Sequence, residues 1–257
     1  MEWQYANLLV AGIVIATLAS LVGIAGGVMW VPYLILVQGL EPKHAVMSSF
    51  LIQIFGMGSA AFTHIYKKNV YWKTALHVGP FVFAGMLVGA YLNQVVAASN
   101  VVELGMGALT MIIAFLFAFQ QEEYDVQLTT DRNVIPPNKV RAQAGLFGAI
   151  SGFFSVGIGD FIIPVFRSVL KIPMMNSIGT ALVLNFFIAM TGGATHLILS
   201  KTYPKDFGWI LLFGGIGVFI GGQIGPRLSG IIDESRLKEI FIFILMLVGL
   251  HSIYQSL

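Results

Sequence analysis

Long apolar stretches alternate with short polar punctuation along the whole chain. The first runs from Tyr5 to Val37, followed by 45–66, 74–97 and 101–119. A polar stretch, Gln120 to Arg141 with Pro136-Pro137 inside it, interrupts the pattern. Four more apolar blocks follow, at 142–166, 178–199, 207–226 and 237–254. About 20 apolar residues cross a bilayer as a helix, so the last three blocks of each half predict one span each. The runs are continuous and do not alternate with period two, which argues against a transmembrane β-barrel.

The first block of each half does not fit a single span. Tyr5–Val37 is too long and is interrupted by Gly23-Ile24-Ala25-Gly26-Gly27; its counterpart is interrupted by Ser155-Val156-Gly157-Ile158-Gly159-Asp160. Glycine clusters weaken a helix interior. Each block is expected to form two short helices meeting at a loop inside the membrane. Irregular backbone at that depth is tolerated where protein buries it or where it lines a cavity.

A constant offset of 132 residues superposes the two halves without a gap. Gly27 falls on Gly159, Pro32 on Pro164, Ser48 on Thr180, Gln53 on Asn185, and Thr63-His64 on Thr195-His196. Tyr71 and Lys73 fall on Tyr203 and Lys205; Gly85 and Gly89 fall on Gly217 and Gly221. One register joining so many unusual residues marks a duplication. The expected organisation is an N-terminal transmembrane repeat (1–120), a linker (121–141) and a C-terminal transmembrane repeat (142–257).

Lys and Arg then set the orientation. If each half had four spans, the two sides would carry eight and six basic residues. If each broken block is a hairpin returning to its starting side, the division becomes eleven to three. The second arrangement obeys the positive-inside rule far better. It makes the halves inverted repeats, with both termini outside, the linker cytoplasmic, and the two glycine breaks meeting near the midplane.

Composition agrees with this picture. Of the 257 residues 57% are hydrophobic and only 10% charged, against about 45–50% and 25% in soluble domains. Mean hydropathy is +0.84. The pattern is that of an all-α polytopic membrane protein, and it excludes a soluble enzyme, a nucleic-acid binder and a disordered chain. The net charge of +2 does not call for a polyanionic partner. The chain has no cysteine, which removes disulfides, iron–sulfur clusters and thiolate metal sites, so neither metal nor cofactor is expected. Met1-Glu2-Trp3 lacks a basic leader, so the first apolar stretch is expected to be retained.

The run from Gly23 to Pro32 (Gly-Ile-Ala-Gly-Gly-Val-Met-Trp-Val-Pro) recurs from Gly157 to Pro164 as Gly-Ile-Gly-Asp-Phe-Ile-Ile-Pro. Each copy is followed by a hydroxyl cluster, Ser48-Ser49 in one half and Ser177 with Thr180 in the other. Across nearly its whole length the chain resembles the TauE/SafE family of sulfite and organosulfonate exporters, also called the toluene-sulfonate uptake permease family. The resemblance implies a small, often sulfur-containing anion as substrate. The second copy departs from the family pattern at Asp160, where another glycine is expected.

Candidate site residues follow. A helix start leaves about four N–H groups unpaired and carries partial positive charge, which suits an anion. Gly26 and Gly27 open one such helix; Gly159 with Asp160 opens the other, with Gly157 just before it. Glycines also serve close helix packing, the alternative role for all four. Pro42 suits a first helical position, and Gln53 then lies roughly 16 Å farther in, near the midplane. Asn185 is its repeat mate, Ser49 shares its face, and Ser48, Ser177 and Thr180 lie shallower. These neutral donors suit sulfonate oxygens, or else interhelical hydrogen bonds. His64 and His196 can relay protons, although their places near span ends suit interfacial histidines. Asp160, an acid within an apolar block, suits a proton site or a helix cap. Gly85 with Gly89, and Gly217 with Gly221 and Gly225, read as internal helix contacts rather than a dimer seam.

The expected function is therefore secondary transport, most readily export, of a small sulfur-containing anion across the cell membrane. No phosphate-binding Gly-x-x-x-x-Gly-Lys-Ser/Thr loop is present in the sequence, so the chain itself is not read as an ATPase. An anion channel with the same midplane site is the first alternative. An intramembrane Ser/His hydrolase is the second, and it lacks a nucleophile motif. The expected partners are the anion and the bilayer, with a homodimer left open.

Overall fold

A computed structural model describes residues 3–22, 26–95, 99–119, 128–129, 131–228 and 234–256. The first glycine break (23–25), most of the linker and the side chains of Arg227, Arg236 and Lys238 lie outside the described residues. Every element of the described chain is helical. In order they are α1 (Trp3–Val22), α2 (Gly27–Leu36), α3 (Pro42–Tyr66), α4 (Trp72–Val95), α5 (Ser99–Phe119), α6 (Asn138–Phe154), α7 (Gly159–Ser168), α8 (Met174–Leu199), α9 (Phe207–Leu228) and α10 (Glu234–Ser256).

Local sequence explains several boundaries. Pro42 sits in the first turn of α3, where a missing N–H costs nothing. Pro137 and Pro173 immediately precede α6 and α8. Between α6 and α7 the chain unwinds through Ser155, Val156 and Gly157. Ser155 ends α6 in the left-handed region, at φ 59° and ψ 25°. The second arm of each broken block is short, 10 residues in both α2 and α7, but the first arm is not: α1 has 20 residues and α6 has 17. The expectation of two short helices therefore holds for one arm only. Block length in a sequence does not reveal where the chain turns back.

Helices α3, α4, α8 and most of α9 are long and apolar enough to cross a membrane. At the centre, α3 packs against α8, with Phe50 beside Gly192, Gly58 against Phe186, and His64 beside Gly179. As numbering rises on one helix it falls on the other, so the pair is antiparallel. Helix α9 lies alongside α3 in the same direction, with Gly214 at Ile52 and Gly56 at Val218. Helix α1 follows α9 from Tyr5, which rings against Trp209 and Phe213, through Gly12 at Gly217 to Ser20 at Gly225. Helices α4 and α6 are matched likewise, from Val82 at Gly148 to Met86 at Gly152 and Gly89 at Phe153.

These contacts depend on missing side chains. A Cβ on Gly85 would fall on the Gly145 carbonyl, and one on Gly89 on the Ala149 carbonyl. Their counterparts Gly217 and Gly221 meet the Leu9 and Ile13 carbonyls in the same way. The glycine pairs are thus internal contacts, each joining the fourth helix of one half to the first helix of the other.

The loops gather at two ends. At one, Lys43 Nζ donates to the Gln94 carbonyl at 2.9 Å and the His44 ring meets Thr202 at 3.1 Å. At the other, Thr74 Oγ1 donates to the Val134 carbonyl (2.8 Å), Tyr71 N–H to Thr180 Oγ1 (3.0 Å) and Thr129 N–H to the Lys171 carbonyl (2.8 Å). Among the described side chains the second end carries Lys67, Lys68, Lys73, Arg132, Lys139, Arg141, Arg167 and Lys171. The first end carries Lys43, Lys201 and Lys205.

Candidate functional site

Helix α3 runs past the second break and the start of α2, and its middle holds a side chain that lies between them. Gln53 is buried, with Nε2 at 2.9 Å from Ser49 Oγ and 3.1 Å from Ser155 Oγ. The same nitrogen lies 3.2 Å from the carbonyl oxygens of Ser49 and Ser155. Ser155 Oγ donates in turn to Ser49 Oγ at 3.2 Å. Ser49 sits one turn before Gln53 on the same face, as the helical period requires. An amide nitrogen has two protons, so it cannot serve four acceptors at once. The cluster can therefore exchange a partner for an incoming ligand without stranding its donor.

Asn185, the repeat mate of Gln53, acts on the other side of the break. Its Oδ1 accepts the Ile158 N–H at 2.8 Å and so caps the start of α7 from a neighbouring helix. Gly159 lies against it: a Cβ there would stand 3.0 Å from Asn185 Nδ2. Gly27 opens α2 and is more tightly placed, since a Cβ on it would overlap the Ser155 carbonyl and approach Gln53 Nε2 to 2.9 Å. The start of α2 thus packs directly on the unwound segment after α6.

A narrow crevice of about 10 Å³, room for roughly one water, lies between these elements. Its polar side is Gln53, Ser151, Ser155, Gly157 and Asn185; its apolar side includes Phe50, Met57 and Ile188. Ser151 is buried and its hydroxyl has no hydrogen-bond partner. A buried unpaired hydroxyl costs roughly 1–3 kcal/mol, a cost that a ligand accepting its hydrogen bond would remove. At about one water's room the crevice is closed to a polyatomic anion, so a ligand enters it only when the surrounding helices part.

The remaining candidates are more scattered. Gly26 precedes α2, and its carbonyl accepts the N–H groups of Met29 and Trp30. Ser48 is buried and its hydroxyl has no partner. Thr180 holds the 67–71 loop: it accepts the Tyr71 N–H and donates to the Asn176 carbonyl at 2.6 Å. Ser177 donates to the Ile172 carbonyl at 3.2 Å. Both therefore hold backbone close to the start of α8, away from the breaks. Asp160 is buried in the first turn of α7, where the helix dipole favours an acid.

The repeated histidines differ from each other. His64 is half-buried near the end of α3, and its Nδ1 has no hydrogen-bond partner. His196 is fully buried rather than interfacial; it contacts the Gly152 carbonyl and the Gln94 side chain, and its ring stacks on Phe50 at 5.4 Å.

Pattern reading did not single out Ser151, Ser155 or Phe50. Ser155 carried a signal, since it occupies the position of Gly23 in the repeat. Ser151 and Phe50 carried none, because a serine or phenylalanine in an apolar helix is unremarkable until its neighbours are known. Glu103, a second acid in an apolar helix, was also passed over; it lies on α5 beside Pro32 and Ser252, apart from the breaks.

Residues 8–252 match the family model described as Sulfite exporter TauE/SafE. The probable membrane transporter protein YunE of Bacillus subtilis (strain 168) is 23% identical over 276 residues, covering 99% of both chains. A probable membrane transporter protein of Xylella fastidiosa (strain 9a5c) is 25% identical over 248 residues, covering 92% of this chain and 90% of its own. Another, from Methanocaldococcus jannaschii, is 23% identical over 262 residues, covering 95% and 93%. No solved structure matches the chain.

Proposed function

We propose that this chain, which belongs to the sulfite exporter TauE/SafE family, is a secondary transporter that exports small sulfur-containing anions such as sulfite or organosulfonates. The coarser part is plain: it is a multi-pass membrane protein whose relatives are named membrane transporters. The observation that carries the finer reading is the polar crevice between α3, α8 and the second break. There Gln53, Ser155 and the unpartnered Ser151 hydroxyl offer neutral donors beside the starts of α2 and α7. Neutral donors and helix starts bind an oxyanion without a fixed cation that would hold it too tightly for release.

The halves are read as inverted repeats. Three observations support this: the shared 132-residue register, the antiparallel packing of the equivalent helices α3 and α8, and the reciprocal pairing of α1 with α9 and α6 with α4. Alternating access then rocks one set of helices against the other around the cavity. The uneven division of basic residues supports a cytoplasmic linker in the cell membrane. An inside-negative potential favours outward movement of a monoanion by about 2.3 kcal/mol per 100 mV, which suits export.

The test is a thermal-unfolding screen of the purified protein with sulfite, taurine, sulfoacetate, sulfate, formate and phosphate, followed by flux in liposomes. Sulfite or a sulfonate should stabilise the protein selectively, by about 2.7 kcal/mol at 100 times its dissociation constant. Ser151→Ala should reduce that gain. Stabilisation by formate or phosphate alone would overturn the substrate class. Liposomes showing no saturable flux of any of these anions would overturn the transporter reading.

A further inference from the structure

Helix α6 ends inside the protein, and its last carbonyls have no N–H four residues on to receive. Two side chains from other helices supply the missing donors. Asn93 Nδ2, from α4, donates to the Phe153 carbonyl at 2.8 Å. The His196 ring, from α8, places Nε2 at 3.0 Å from the Gly152 carbonyl. A carbonyl only accepts, so Nε2 carries the proton. Nδ1 then accepts from Gln94 Nε2 at 3.0 Å. Both ring nitrogens are used and the imidazole is neutral. Among the described residues its hydrogen-bond and ring partners are the Gln94 side chain, the Gly152 carbonyl and the Phe50 ring, none of them ionisable; Lys43 reaches Gln94 at its backbone carbonyl.

This clamp stands directly beside the cavity. Ser151 precedes Gly152, Ser155 follows two residues after Phe153, and Phe50 forms part of the cavity wall. Among the described residues the first half shows no copy of it. By the 132-residue offset Asn93 corresponds to Gly225, which has no donor side chain, and His196 corresponds to His64, whose Nδ1 has no partner. A repeated histidine has thus kept its place in the register while only one copy, together with a neighbouring asparagine, terminates a helix.

We propose that His196 and Asn93 are positioning residues that hold the broken end of α6, so that Ser151 and Ser155 face the anion cavity, and that His196 does this as a neutral donor and not as a proton carrier. The proposal rests on the midplane site described above.

The experiment compares His196→Ala, His196→Gln and Asn93→Ala in the full-length protein. One arm reads backbone hydrogen exchange over residues 151–158 in detergent, with no anion present. The other reads sulfite flux in liposomes between pH 5.5 and 8.5. Each alanine variant removes one hydrogen bond to a buried carbonyl, so exchange of this segment should rise roughly tenfold relative to α3 and α8. The apparent KM for sulfite should rise by a similar factor, with the maximal rate changed much less. Glutamine can donate to the Gly152 carbonyl and accept from Gln94, so His196→Gln should restore both readouts and keep the pH profile of flux. Unchanged exchange at 151–158 in Asn93→Ala, and in His196→Ala where it folds, would overturn the proposal. So would a His196→Gln variant that folds and binds but has a flattened pH profile, since that is the signature of a proton carrier. If the protein moves none of the anions tested above, the transport reading fails, while the exchange arm still decides whether the clamp exists.

Discussion

At Gly27 a single methyl group decides whether the start of α2 can lie against the unwound segment after α6. A Cβ there would overlap the Ser155 carbonyl, which is backbone and cannot swing aside. Gly27→Ala is expected to cost about 3 kcal/mol or more, or to block folding. Gly26→Ala meets only Ile15 and Trp30 side chains at 3.4 Å and should be nearly neutral. Thermal unfolding of the two variants in detergent checks the contrast. Ser155 gives a second prediction. Its backbone is left-handed, a region that costs an L-residue roughly 1–2 kcal/mol and glycine nothing. Both Ser155→Gly and Ser155→Ala lose the hydroxyl that meets Gln53 and Ser49. Ser155→Gly should therefore unfold less readily than Ser155→Ala by about 1 kcal/mol, while both lose anion-dependent stabilisation. The sequence pointed to Gln53, Asn185 and the glycines because polar or flexible residues in an apolar span require a reason. It did not show that Asn185 faces a helix start rather than open space.

Helix pairing explains the glycines that do not line the cavity. Gly85 and Gly217 occupy the same place in the repeat and meet backbone carbonyls of α6 and α1 respectively. Replacing either with valine should force the helices apart, lower the unfolding temperature and do so to a similar extent in the two variants. Gly222 is the control. It lies in α9 with open space where a Cβ would go, so Gly222→Ala should be neutral or stabilising by up to about 1 kcal/mol through helix propensity. The small-xxx-small spacing was readable in advance, and so was its use inside one chain. The length of α1 was not. A periodic or apolar run reports what surrounds a segment, and the surroundings of α1 are set by α9, which lies about 200 residues farther on.

For the whole molecule, the distribution of charge predicts topology. The chain has no cysteine, so single cysteines can be introduced without background. Lys68→Cys and Lys201→Cys lie at opposite ends of the structure. In intact cells a membrane-impermeant thiol reagent should label position 201 and leave position 68 unreacted until the membrane is opened. The reverse pattern would invert the proposed orientation, and labelling of both from outside would remove the assignment of the two ends to opposite faces.

Hydropathy, repeat register and loop charge are properties of the residues themselves and of their spacing. They were enough to establish a helical membrane protein, a duplicated pattern and two broken blocks, because bilayer insertion selects for length and polarity one segment at a time. The cavity depended on folding. Ser151, Ser155 and Phe50 acquire their roles from contacts with residues far away along the chain, and so does the His196 clamp at the end of α6, whose bonds to α6 span 44 and 60 positions. Hydrogen bonds to backbone carbonyls leave no mark in side-chain pattern, so two histidines that match in the register came to occupy different environments once the helices packed.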